Sequence, residues 1–196
     1  MDELRLASRL CSRLCHDLVG SIGAINNGLE LLDGDQDKET RREAMELIQF
    51  SARNLRDKVQ YFRVAFGLPG AGAIELDLRR SRELAVNLYA EGKIQLAWPD
   101  DQLIPTLLPE ENKLLLNLLW LAGDALARGG ELQVAFASDA HHFTISVVAR
   151  GRGVKLCDDL RNALEGRTPV DEIDATAAQA HLTGLPAKHV GATIPR

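Results

Sequence analysis

His16 is the residue whose type and setting point most directly to chemistry. It lies in the run Leu14-Cys15-His16-Asp17-Leu18, two residues from a leucine on either side. Two residues is about 200° around an α-helix, so His16 faces away from the apolar stripe that Leu14 and Leu18 define. A solvent-accessible neutral imidazole is a good nucleophile near pH 7 and can both accept and release a phosphoryl group. Asp17 beside it can orient the ring and hold the proton on the other ring nitrogen. Arg13, one turn earlier, can offset phosphate charge. The same Arg13–Asp17 spacing also makes an ordinary i,i+4 ion pair on a helix surface. Gly20 and Gly23 share this side of the helix with Ser12 and Val19. Each glycine in a helix interior costs roughly 1 kcal/mol relative to alanine. Bare backbone beside an exposed imidazole lets another protein approach it closely, which makes Gly20 and Gly23 candidate docking positions.

Cys11, Cys15 and His16 form a second constellation, of metal-ligand type. Cys11 sits in the apolar stripe while His16 points away from it, and no further ligand is at hand. The two thiols are therefore expected to pack in the core, and no metal is expected. Of the other histidines, His141 and His142 are neighbours at a strand start and should point to opposite faces. His181 and His189 stand alone. All four are expected to be surface or satisfied polar residues.

The elements that must position His16 are helices. The stripe Ala7, Cys11, Leu14, Leu18, Ile22, Ile25, Leu29, Leu32 advances in steps of 4, 3, 4, 4, 3, 4, 3, the period of a bundle helix. Gly34, in Asp33-Gly34-Asp35, is its expected C-cap. A second stripe, Met45, Ile48, Ala52, Leu55, Val59, Phe62, Phe66, alternates steps of 3 and 4 in heptad fashion. Two such helices joined by a short loop form an antiparallel hairpin over residues 1–68. One hairpin has a single apolar seam and encloses no core, so a homodimeric four-helix bundle is its expected completion. Packing against the rest of the same chain is the alternative.

Leu68-Pro69-Gly70-Ala71-Gly72 breaks the helical pattern and places a linker at residues 69–73. Residues 74–196 mix element types. Strands are expected at Ile74 to Leu78, Ile94 to Trp98, Glu131 to Ala137 and Phe143 to Ala149, with a last one near Ala192 to Pro195. Helices are expected at Arg80 to Ala90, Glu110 to Ala127, Cys157 to Leu164 and Asp174 to Ala187. There is no regular βαβ repeat, so the class is α+β.

Composition closes off other functions. The chain has 196 residues, with 23 Lys plus Arg against 28 Asp plus Glu, a net charge of −5. A mildly acidic chain is a poor match for phosphate backbones, so no nucleic-acid partner is expected. Three cysteines make no disulfide framework. The start MDELRLASRL has no apolar core with a cleavage site. The longest apolar stretch, Leu114 to Gly123, is about half of the ~20 residues that span a membrane. The expectation is a cytoplasmic protein with no membrane association.

The run from Cys15-His16-Asp17-Leu18 to Gly28-Leu29-Glu30-Leu31-Leu32 resembles the histidine box of bacterial histidine kinases. It is most similar to the ChpT-type histidine phosphotransferases of alphaproteobacterial phosphorelays, over essentially the whole chain. In the kinases a proline often sits five residues after the histidine; here that position is Ser21, which leaves the helix straighter. The C-terminal part resembles a kinase ATP-binding domain, a Bergerat α/β sandwich, that has lost its site. The kinase motif Asn-Leu-Leu-x-Asn-Ala appears as Asn117-Leu118-Leu119-Trp120-Leu121-Ala122, with Leu121 in place of the Mg²⁺-binding asparagine. Asp-x-Gly-x-Gly appears as Ala149-Arg150-Gly151-Arg152-Gly153, with Ala149 in place of the adenine-reading aspartate. The glycine-rich phosphate loop is reduced to Gly184-Leu185.

The resemblance implies a dimer that binds no cofactor of its own and does not use ATP. It implies phosphoryl transfer to His16 from the receiver domain of a hybrid histidine kinase (CckA-like), and onward to response regulators (CtrA-like, CpdR-like). The receiver domain would supply the acidic pocket and the Mg²⁺. An ATP-using histidine kinase and a non-catalytic dimeric adaptor for receiver domains are the alternatives.

Overall fold

The structure is a computed structural model that describes residues 2–34, 37–67, 76–99, 106–139, 143–154 and 157–189. Two long helices come first, α1 (Asp2–Asp33) and α2 (Lys38–Ala65). The first stops just before Gly34. The second is capped by Asp37, whose carboxylate accepts the Thr40 N–H at 2.8 Å, satisfying a donor that a helix start otherwise leaves open. The helices run antiparallel. Gly28 of α1 lies against Ala44 and Ile48, Ser21 donates to Asn54, and Lys58 reaches the main chain at Asp17.

Small residues line the buried face of this hairpin. Ser21 and Gly28 on α1 and Ala44 and Ser51 on α2 are buried, a heptad apart on each helix. The apolar stripes flank this line and are only partly used. Ile22, Leu29, Met45 and Val59 remain 44–48% exposed in the single chain. Cys11 and Cys15 are exposed too, which corrects the expectation that the thiols pack in the core. The seam runs past the small-residue contact and leaves half its members facing outward.

The rest of the chain gives α3 (Leu78–Tyr89), β1 (Ile94–Ala97), α4 (Pro109–Asp124), β2 (Gly130–Ser138), β3 (Phe143–Arg150), α5 (Asp158–Leu164) and α6 (Ala175–His189). Six helices and a three-stranded mixed sheet make the described residues α+β, as expected. The strand order is β1-β2-β3. β1 and β2 pair in parallel through the α4 crossover, with Leu96 opposite Leu132. β2 and β3 form the expected antiparallel pair, with Leu132 opposite Ala149. The Gly151 and Gly153 run is a turn after β3: Gly153 has φ +72°, and a Cβ on Gly151 would meet the Gly129 carbonyl at 2.7 Å.

Several expectations change or fall outside the described residues. No strand forms at residues 76–78, because the Asp77 carboxylate accepts the Arg80 N–H at 2.7 Å and starts α3 there. Gly184-Leu185 is not a loop but lies inside α6, where a Cβ on Gly184 would strike the Leu164 carbonyl of α5. The linker from Leu68, His141, His142 and the strand near Ala192 to Pro195 lie outside the described residues.

The hairpin and the α/β part share a core. Tyr61, Phe62 and Ala65 of α2 are buried in one cluster with Leu84, Leu115, Leu116, Leu119, Leu132 and Val134. The Tyr61 hydroxyl donates to the Leu116 carbonyl at 2.5 Å. A second cluster gathers Leu6 of α1 with Leu121 of α4 and with Ala163, Leu164, Ile173 and Ala178. Both faces of α4 are thereby covered, and the side of α1 that carries Arg13 is held against the α4–α6 layer.

Candidate functional site

His16 stands in mid-α1 with its side chain 87% exposed. Its Nδ1 lies 3.3 Å from Asp17 Oδ1. That contact favours the tautomer with the proton on Nδ1, leaving the Nε2 lone pair directed outward. Asp17 is largely covered, and its other oxygen, Oδ2, accepts Arg13 Nε at 3.0 Å. Lys58 of α2 donates to the Asp17 main-chain carbonyl at 3.0 Å. The surroundings are open: an added Cβ at Gly20 or Gly23 would meet nothing within 4 Å. Val19, Gly20, Cys15 and Ser12 are exposed around the ring. His16 and Gly20 thus lie exposed on one helix face, with Gly23 half-buried two turns on from His16 and Asp17 largely covered beside the ring.

Arg13 does not join that patch as a free cation. Each of its three side-chain nitrogens is engaged. Nε binds Asp17, Nη1 donates to Thr176 Oγ1 at 3.0 Å, and Nη2 donates to Asp124 Oδ2 at 2.5 Å. The guanidinium also lies 5.3 Å from the centre of the Trp120 ring, within cation–π range. Burial pulls its pKa down, but Asp124 and Asp17 outweigh burial and hold it above the ordinary value. Burial pushes Asp124 up to about 6, while Arg13 pulls it down and Asp17 pushes it up again. The phosphate-steadying place offered for Arg13 by sequence is thus taken by an inward-facing clamp. Asp124, Thr176 and Lys58 are the residues that sequence reading missed. The first two lie 111 and 163 residues from Arg13, so no spacing pattern links them to it.

Residues of the run that resembles a kinase ATP motif are packed against the hairpin. Asn117 Nδ2 donates to the Ala65 carbonyl of α2 at 3.0 Å. Trp120 meets Phe62 and Phe66 at ring distances of 4.6 and 5.4 Å. Leu121 is 5% exposed inside the second apolar cluster, where it offers a cation no oxygen. Ala149 sits in β3 against the main core. Among the described residues, no group of three or more His, Cys, Asp or Glu could hold a metal. No helix of the described residues is long and apolar enough to cross a membrane.

The chain and its fold are similar to known proteins. The sequence profile of the histidine phosphotransferase C-terminal domain matches residues 78–195. The chain is 34% identical over 196 residues to the protein phosphotransferase ChpT of Brucella abortus (strain 2308), covering 99% of this chain and 90% of that protein. A solved structure, described as a 1.7 Å structure of a bacterial phosphotransferase, superposes with a TM-score of 0.79 at 34% identity. That match covers 96% of this chain and 88% of the other. The fold is that of a protein phosphotransferase. The chain belongs to the ChpT-like histidine phosphotransferase family, which acts in two-component phosphorelays.

Proposed function

We propose that this chain relays a phosphoryl group through His16. The Nε2 lone pair attacks the phosphorus of a phosphoaspartate on the receiver domain of a hybrid histidine kinase. The P–N bond forms as the P–O bond to the carboxylate breaks, and the carboxylate leaves with the electron pair. The Nδ1 proton stays on the ring, facing Asp17, which offsets the positive charge that builds on the imidazole. Delivery to the aspartate of a response regulator is the same exchange in reverse. Such transfer is mainly positioning and charge stabilisation. The receiver domain supplies the acidic pocket and Mg²⁺. The observation that carries this reading is the 87% exposed His16 with its Nδ1 on Asp17. The open backbone at Gly20 and Gly23 supports close approach of a receiver.

Two further parts belong to the same reading. The chain works as a homodimer, its two hairpins closing a four-helix bundle over the exposed halves of their seams. It acts in the cytoplasm without ATP: Leu121 is committed to an apolar cluster, and Asn117 and Trp120 are committed to α2.

The test is transfer from a receiver domain of a hybrid kinase, loaded with ³²P in Mg²⁺. Acid-labile label should move to the wild-type chain, and not to His16→Ala. Labelled ATP alone should leave the chain unlabelled. Label from ATP would make this a kinase. Receiver binding without any label on the chain would leave the adaptor as the better account.

A further inference from the structure

Asp124 is placed where a carboxylate is unfavourable. It is the last residue of α4, where the helix dipole disfavours negative charge, and it is mostly buried beside Arg13. Burial pushes its pKa up to about 6. A residue held against local preference in this way marks a functional or strained position. Its nearest charged neighbour is Arg13, at 2.5 Å, and Arg13 in turn holds Asp17 Oδ2 at 3.0 Å.

The His16–Asp17 contact is long, at 3.3 Å, between adjacent residues on an exposed helix face. On its own it would hold the Asp17 carboxylate weakly. What fixes that carboxylate is its second oxygen on Arg13. What fixes Arg13, a long and flexible side chain, is Asp124 at the end of α4, Thr176 in the first turn of α6, and the Trp120 ring. We infer that Asp124, through Arg13, is a positioning residue for phosphoryl transfer: the α4–α6 layer sets the Asp17 carboxylate, and Asp17 sets the tautomer and orientation of His16. This rests on His16 being the phosphoacceptor. It gives the α/β part a task in the relay without nucleotide. Supporting groups of this kind orient a reacting residue without touching substrate.

Arg9 provides a matched control. It ties the same helix to the same neighbouring layer, donating to the carbonyls of Val170 and Asp171 at 2.9 and 3.0 Å. It has no bond to Asp17.

The experiment uses the full chain and the loaded receiver in single-turnover transfer, with the ¹⁵N NMR shifts of the His16 ring read in parallel. Asp124→Asn should lower the maximal transfer rate about tenfold or more, leave the half-saturating receiver concentration unchanged, and shift the ring nitrogens towards a mixed tautomer. Asp124→Glu should recover part of both. Arg9→Ala should lower the melting temperature and change neither readout. Should the Asn variant unfold, Arg13→Lys replaces it, because an ammonium lacks the fork that spans two carboxylates. The inference is overturned if the Asp124 and Arg13 variants lose stability, as Arg9→Ala does, while transfer rate and ring shifts stay at wild type. Label persisting on His16→Ala would instead sink the phosphoacceptor reading. The ring shifts would still decide whether Asp124 reaches His16.

Discussion

A glycine in mid-helix is explained by what its missing side chain would touch. At Gly28 a Cβ would lie 2.6 Å from Ile48 Cγ1 and 3.2 Å from the Ala44 carbonyl. That glycine lets α1 and α2 approach, so Gly28→Ala should destabilise by about 1–3 kcal/mol in urea unfolding. At Gly20 a Cβ would meet nothing. Gly20→Ala should therefore stabilise, by up to about 1 kcal/mol, while Gly20→Leu should slow transfer from the receiver by obstructing docking. Unchanged transfer in Gly20→Leu would remove that position from the docking surface. His16 and Asp17 are legible in the sequence because a helix face is a matter of spacing alone. Arg13 was legible only in half. Its i,i+4 partner is in plain view, but Asp124 and Thr176 become its neighbours only through tertiary packing. That packing turns the guanidinium inward onto Asp17, Asp124 and Thr176.

At the scale of elements, the two long helices and the antiparallel β2–β3 pair follow from periodicity, whereas the Asp37 and Asp77 caps of α2 and α3 went unread. Within the alternation from Ile74, the described residues 76–78 yield to the aspartate cap that starts α3. Cys11 misleads for a related reason: a stripe position is buried only when something packs on that part of the stripe. Val59 and Ile22 stand on the uncovered half, 46% and 44% exposed. If a second hairpin covers them, a charge there faces an apolar surface. Val59→Asp should convert a dimer to a monomer of 21.5 kDa by light scattering. A wild-type chain that is already monomeric at micromolar concentration would contradict the four-helix bundle.

At the scale of the whole molecule, α4 joins the parts. Its motif residues resemble those of an ATP site, yet they bond and stack against α2, and its last residue holds α1 through Arg13. The departures from the kinase motifs at Leu121 and Ala149 are readable residue by residue; what these residues pack against is not, because it depends on which helix lies there. The clamp also gives the fold a pH signature. The Asp124 pKa rises on folding from 3.8 to about 6, so the native state binds its proton more tightly than the unfolded chain. Its stabilising contribution is full below pH 3.8 and is lost as pH rises through about 6. Relative to Asp124→Asn, the wild type should lose on the order of 1–3 kcal/mol between those limits in pH-dependent melting. A wild type that gains on the variant as pH rises would contradict the buried-acid account. The most direct measurement for the relay is where the phosphoryl group resides after transfer. The chain is loaded from a phosphorylated receiver, digested at alkaline pH, and its peptides are sequenced by mass spectrometry. A phosphohistidine at His16 is the predicted result. A phosphoryl group on any other residue, with His16 unmodified, would contradict the account.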